Sequence, residues 1–146
     1  MVYKNFGIII IWVLLLLPLH VYAASNQNGL ELQRKCEKES DEIFKEQYGA
    51  DNVKVKTDNG FDLYNHRTHY NTIFNTCFQV VEKSLYREDG VVGTHIKELL
   101  NINEDQKYGS IMEFSNPTKV WECSVAQKRC KSAGEWDDLV KLYMEE

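Results

Sequence analysis

Phe61-Asp62-Leu63-Tyr64-Asn65-His66-Arg67-Thr68-His69-Tyr70 and Cys77-Phe78-Gln79-Val80-Val81-Glu82-Lys83-Ser84-Leu85-Tyr86 are the two stretches whose reading decides the fold. Both are rich in aromatic and β-branched residues, which suit a pleated, half-buried surface. The segment between them, Asn71 to Thr76, holds two Asn and two Thr, side chains that close tight turns on their own backbone. Together they predict an antiparallel hairpin. In its second strand Phe78, Val80, Glu82, Ser84 and Tyr86 share one face, and Cys77, Gln79, Val81, Lys83 and Leu85 the other. Both faces start apolar and turn polar, so this strand is expected to begin buried and end at the surface.

Upstream, Leu30 to Tyr48 places Leu32, Cys36, Ile43 and Phe44 near helical spacing with charges between, and Gly49 supplies a stop. A short alternating stretch, Val53-Lys54-Val55-Lys56, precedes the turn signal Asp58-Asn59-Gly60. Downstream, Arg87 to Gly93 reads as a loop, His95 to Ile102 and Tyr108 to Phe114 as strands around the polar turn Asn103 to Lys107, and Asn116-Pro117 as the next reversal. Val120 to Val125 follows as a strand. Ser132-x-x-Glu135 is a capping box, after which Trp136, Leu139, Val140 and Tyr143 recur at helical spacing. No helix separates consecutive strands, so the expected class is α+β. The expected architecture is an antiparallel sheet of about four to five strands in meander order, with an N-terminal and a C-terminal helix on one face.

The first residues read as an export signal. Lys4 stands near the amino terminus, an apolar run extends from Phe6 to Leu17, Pro18 breaks it, and Val21-Tyr22-Ala23 offers small residues where a signal peptidase reads. The run is shorter than the roughly 20 residues a bilayer-spanning helix needs, so no stable membrane insertion is expected after cleavage. The first cysteine, Cys36, lies too far along for lipid anchoring. The expected organisation is a signal peptide over residues 1–23, a flexible leader over 24–29 and a single domain over 30–146. The composition of the 146 residues, 43% hydrophobic and 27% charged, is that of an ordinary globular domain. A formal charge of −5 offers no basic field for counterion release, which removes nucleic acid from the expected partners.

Cys36, Cys77, Cys123 and Cys130 all lie beyond the signal, and an even set in an oxidising compartment points to disulfides. Four cysteines allow three pairings. A reversal near Ala126-Gln127 would set Cys123 opposite Cys130 across a hairpin, which leaves Cys36 for Cys77. No Cys-x-x-Cys or zinc-ribbon spacing is present.

His66, His69 and His95 are the imidazoles left after cleavage. Residues three apart on a strand point to opposite faces, so His66 and His69 are not expected to share a metal ion. The pairs Glu88-Asp89 and Glu104-Asp105 fall in loops and match no calcium loop. Tyr64, Tyr70, Tyr86, Tyr108, Trp121 and Trp136 could form an aromatic surface, although cross-strand and core packing explains most of such a set. No catalytic residue, cofactor or metal is assigned. The expected function is an exported, non-catalytic module in the periplasm or medium acting on an unknown protein or envelope component. The alternative is a small secreted hydrolase or metal-dependent enzyme using His66, His69 or His95.

His69-Tyr70-Asn71, Cys77-Phe78-x-Val80-Val81-Glu82, the Cys123-x6-Cys130 spacing and the closing Glu135-Trp136-x-x-Leu139-Val140-x-x-Tyr143-Met144-Glu145 resemble a group of small exported bacterial proteins of uncharacterised function. The resemblance runs from Leu30 to the end. It implies a bacterial exported domain with the two Cys pairs given above, and it implies no chemistry. Intact-mass measurement of the native product checks the export reading. The expected mass is that of a chain beginning at Ala24, and retention of residues 1–23 in a membrane fraction would make Phe6 to Leu17 an anchor.

Overall fold

The computed structural model of the chain describes residues 28–50, 53–115 and 118–145. Beyond Leu32 the chain forms one compact unit, Gln33–Glu146. The expected signal over residues 1–23 lies outside the described residues, as does most of the expected leader; residues 28 and 29 are helical. Helix α1 covers residues 28–48. The strands are β1 (Lys54–Thr57), β2 (Gly60–Asn71), β3 (Thr76–Arg87), β4 (Val92–Asn101), β5 (Gln106–Ser115), β6 (Thr118–Val125) and β7 (Lys128–Arg129), followed by helix α2 (Ala133–Met144).

The α+β class and the antiparallel meander hold, and the sheet has seven strands in the order β1-β2-β3-β4-β5-β6-β7 rather than four or five. The additional strands are the two short edges. All four residues of β1 are exposed, so its side chains carry no burial signal, and it exists because its backbone pairs with the start of β2 across Asp58 and Asn59. Gly60 permits the close approach of the start of β2 to the end of β3, since a Cβ there would lie 2.0 Å from the Tyr86 carbonyl oxygen. Strand β7 is the two-residue return of the Cys123–Cys130 hairpin.

The helices sit on opposite faces of the sheet, which corrects the expectation of a shared face. On β3, Cys77 bonds to Cys36 of α1 and the Gln79 amide donates to the Ser40 carbonyl at 3.3 Å, while the adjacent Phe78 and Val80 join Trp136, Val140, Tyr143 and Met144 of α2 in one buried cluster. Adjacent strand residues point opposite ways, so a strand buried at Cys77, Phe78, Gln79, Val80 and Val81 requires a cover on each side. Leu99, Ile111, Cys123 and Val125 extend the α2-side core across β4 to β6.

Helix α1 buries Cys36, Ser40 and Phe44, and leaves Leu32 and Ile43 exposed where the sequence pattern had put them inward. Residues four apart form one row along the helix; Ile43, three residues past the central Ser40, sits about 60° to one side of it at about 100° per residue, while Leu32 lies in the row one turn before Cys36 and is exposed there. Ser40 can occupy the central position because its hydroxyl meets that of Thr68 on β2 at 2.5 Å. At the other end Ser132 caps α2 as the sequence indicates, its hydroxyl accepting from the Glu135 backbone N–H at 3.2 Å. Asn71, fully buried, donates to the carbonyls of Leu142 and Tyr143 at 3.0 and 3.3 Å and accepts from the Phe74 N–H at 2.9 Å, which ties the β2–β3 turn to the end of α2.

Both disulfides pair as expected, with Cα separations of 5.5 Å for Cys36–Cys77 and 5.0 Å for Cys123–Cys130. They span 41 and 7 residues. The chain-entropy account gives about 4 kcal/mol for the longer closure and roughly 2.5 kcal/mol for the shorter. Thermal unfolding of Cys→Ala variants therefore should show Cys36→Ala and Cys77→Ala lowering the melting temperature by similar amounts, the double variant adding little, and Cys123→Ala costing less. Equal losses at all four positions would mean that loop length does not set their contribution.

Candidate functional site

The three imidazoles are not brought together. His66 points to the α1 side, where its Nε2 lies 2.9 Å from Asp41 Oδ1 and its ring stacks on Phe44 with centroids 4.1 Å apart. Its side chain is only 9% exposed, so helix contact rather than ligand access defines it. His69 stands in register with Phe78 on the opposite face. His95 is exposed on β4, its Nδ1 3.0 Å from the Ser84 hydroxyl across the β3–β4 pair. Among the described residues no group of three or more His, Cys, Asp or Glu comes together in a way that could hold a metal ion.

Ser84, His95 and Glu113 lie in one row across β3, β4 and β5, because each is the Cα partner of the next. That row holds the three residue types of a nucleophile triad. Its imidazole bonds to Ser84, however, and among the described residues it makes no bond to Glu113, so the acid does not fix the tautomer as a triad requires.

On the α1 side Asp62, Tyr64 and Lys83 form one polar group. The Lys83 ammonium is 2.8 Å from Asp62 Oδ2 and 5.1 Å from the centre of the Tyr64 ring, and Tyr64 stacks on Tyr48 at 4.6 Å. Burial works to lower the Lys83 pKa, but hydrogen bonds to Asp62 and Tyr64 outweigh it and the net shift is upward. Burial, followed by the nearby Glu98 charge, raises the Tyr48 phenol. Lys83 is thus held as an ammonium and Tyr48 as a neutral phenol, the wrong states for a nucleophilic amine or a phenolate base. This cluster fastens α1 to the sheet.

The acidic pairs serve turns. Asp89 accepts from the Val91 backbone N–H at 3.0 Å and from Arg87 at 2.8 Å; the backbone bond is the leading cause of its lowered pKa. Glu104 closes a turn with Asn101 through bonds of 2.9 and 3.2 Å.

The aromatic set divides sharply. Trp136 is fully buried, Tyr108 packs edge-on against Phe78 and Tyr143, Tyr86 stacks on Phe61, Tyr64 stacks on Tyr48, and the Tyr70 hydroxyl donates to Asn75. Trp121 is 68% exposed. It meets Phe114 edge-on at 6.3 Å, and the Lys119 ammonium lies 5.6 Å from its ring centre. Strict alternation would put Trp121 on the same face as buried Cys123. The register shifts between Met112 and Glu113, so that Glu122 pairs with Met112 and Val120 with Glu113. Trp121 is the extra residue of that bulge, and the bulge turns it away from the core. Val120 takes the place against the core cluster instead.

Two further features go beyond what the sequence reading shows. Asn71 reads as an ordinary turn residue, and only its burial shows that it joins two distant elements. Lys128 and Arg129 come beside β6, opposite Val125 and Ser124, only when β6 and β7 pair, and Lys119 lies further along the same strand. No protein-family model matches the chain, and no curated protein or solved structure matches it.

The Lys83–Asp62 pair yields a stability prediction. Lys83→Met leaves buried Asp62 without its cation and is expected to cost about 1 to 2 kcal/mol near neutral pH, between the exposed and fully buried ranges. A lysine with a raised folded-state pKa stabilises fully below its unfolded value of 10.5, and the contribution is lost as pH rises through the folded value. Denaturant melts at neutral pH and above the unfolded lysine value should show the variant losing less stability with rising pH than the parent. Parallel curves would remove the pair from the stability balance.

Proposed function

We propose that this chain is an exported, non-catalytic module of the small bacterial type its sequence resembles, working in the periplasm or medium through contact with a protein component. The observation that carries the reading is Trp121, a large aromatic held out of the core by a backbone bulge and braced by Phe114 and Lys119. Bulges re-aim side chains at sheet edges, and tryptophan is the residue type most enriched among binding hot spots. Two closed disulfides and no free cysteine among the described residues support an oxidising compartment. Among the described residues no helix is long and apolar enough to cross a membrane, which fits action after signal removal.

A second reading, a small hydrolase, has one observation in its favour: the 3.0 Å contact between the Ser84 hydroxyl and His95 Nδ1. A photo-cross-linking residue at position 121, with position 142 on the exposed side of α2 as control, separates the two in the producing cell. The expected result is one adduct of defined mass from position 121 only, competed by purified parent protein and not by Trp121→Ala. Absence of that adduct, together with esterase or peptidase turnover abolished by Ser84→Ala, would replace this reading with the hydrolase.

A further inference from the structure

Strand β6 is an open sheet edge over most of its length. β5 pairs along one side, whereas β7 pairs on the other side only at Ser124 and Val125, and the Cys130 N–H donates to the Cys123 carbonyl at 3.1 Å. From Lys119 to Glu122 the outer side has no partner strand among the described residues, and Lys119, Trp121 and Glu122 are exposed. An edge of this kind presents backbone N–H and C=O groups ready to pair with an extended chain.

The charge there is opposite to that of the molecule. Lys119, Lys128, Arg129 and Lys131 stand with a single carboxylate, Glu122, in the stretch 118–131 of a chain whose formal charge is −5. All four cations are exposed, and none forms an ion pair among the described residues, where seven other pairs do form. At the opposite edge, the Lys54 ammonium of β1 lies 3.7 Å over the Phe61 ring.

We propose that the outer edge of β6 from Lys119 to Glu122 binds an extended acidic peptide segment as an added strand, with Trp121 packing against one of its side chains and Lys119, Lys128 and Arg129 facing its carboxylates. This deepens the protein-contact reading and rests on it. The backbone supplies the pairing, the cations select the charge and Trp121 fixes the register. A second copy of this chain is disfavoured as the occupant, because its own β6 edge would bring the same cations against these.

The test uses the oxidised mature protein and a labelled eight-residue peptide of alternating Glu and Val, with three comparators: the same peptide N-methylated at alternate amides, its Lys-for-Glu counterpart, and anionic phosphatidylglycerol vesicles. Fluorescence anisotropy and Trp121 emission should report saturable binding of the acidic peptide, at least about tenfold weaker for the lysine peptide and for the N-methylated one. Amide hydrogen exchange should slow within Lys119 to Glu122. The double charge reversal Lys119→Glu with Arg129→Glu should weaken the acidic peptide by about tenfold or more and admit the lysine peptide, with an unchanged melting temperature confirming the fold.

Equal binding of the parent and N-methylated acidic peptides would overturn strand addition in favour of a charge-only contact. Vesicle binding that the peptide does not compete would reassign the margin to a membrane surface. No saturable peptide binding up to about 1 mM, the weak end of specific affinity, would sink the proposal outright. In that case a surviving position-121 adduct leaves the protein-contact reading standing, and its loss as well removes both.

Discussion

Everything in this fold answers to the double burial of β3. Cys77, Phe78, Gln79, Val80 and Val81 are consecutive and all buried, so both faces of the sheet must be closed at that point. A single-layer meander with helices on one side would leave Cys77, Gln79 and Val81 in water. The chain meets the requirement with helices from its two ends, one on each face, each fastened to β3 by different chemistry.

The α2 side is closed by apolar packing. Phe78, Val80, Leu99 and Ile111 meet Trp136 and Val140, with Phe78, Tyr108 and Tyr143 in mutual edge-on contact. The α1 side is closed by specific links: a disulfide at Cys36, polar contacts of Ser40 with Thr68 and Gln79, and the Asp41–His66–Phe44 contact. Polar burial of this kind is favourable only when each group is satisfied, which explains why the α1 stripe carries serine and cysteine where a purely apolar helix would carry leucine. It also accounts for His66, one of the three imidazoles beyond the signal, being a packing residue.

The margin around β6 differs from this closed interior. The bulge opposite Met112 and Glu113 uncouples Trp121 from the alternation that buries Cys123 and Val125. One extra backbone residue therefore produces both the exposed aromatic and the inward turn of Val120. The short β7 then ends the pairing after two residues, leaving an edge whose charge opposes that of the whole chain.

Local sequence determined the meander, the β2–β3 hairpin, the capped C-terminal helix and the two cysteine pairs, because alternation, turn chemistry and the Ser132-x-x-Glu135 box act over a few residues. Tertiary structure alone decided the rest. Which face each helix covers depends on Cys77 and Phe78 pointing opposite ways, a fact present in the alternation but without meaning until α1 and α2 are assigned to sides. Strands β1 and β7 carry no burial pattern and exist through backbone pairing with neighbours. Leu32 and Ile43 could be mistaken for the buried stripe of α1 because hydrophobicity was the only local guide, whereas Ser40 owes its burial to partners on β2 and β3. Trp121 was visible as an aromatic on a strand, but its exposure rests on a register shift between two strands, and a register belongs to the pair.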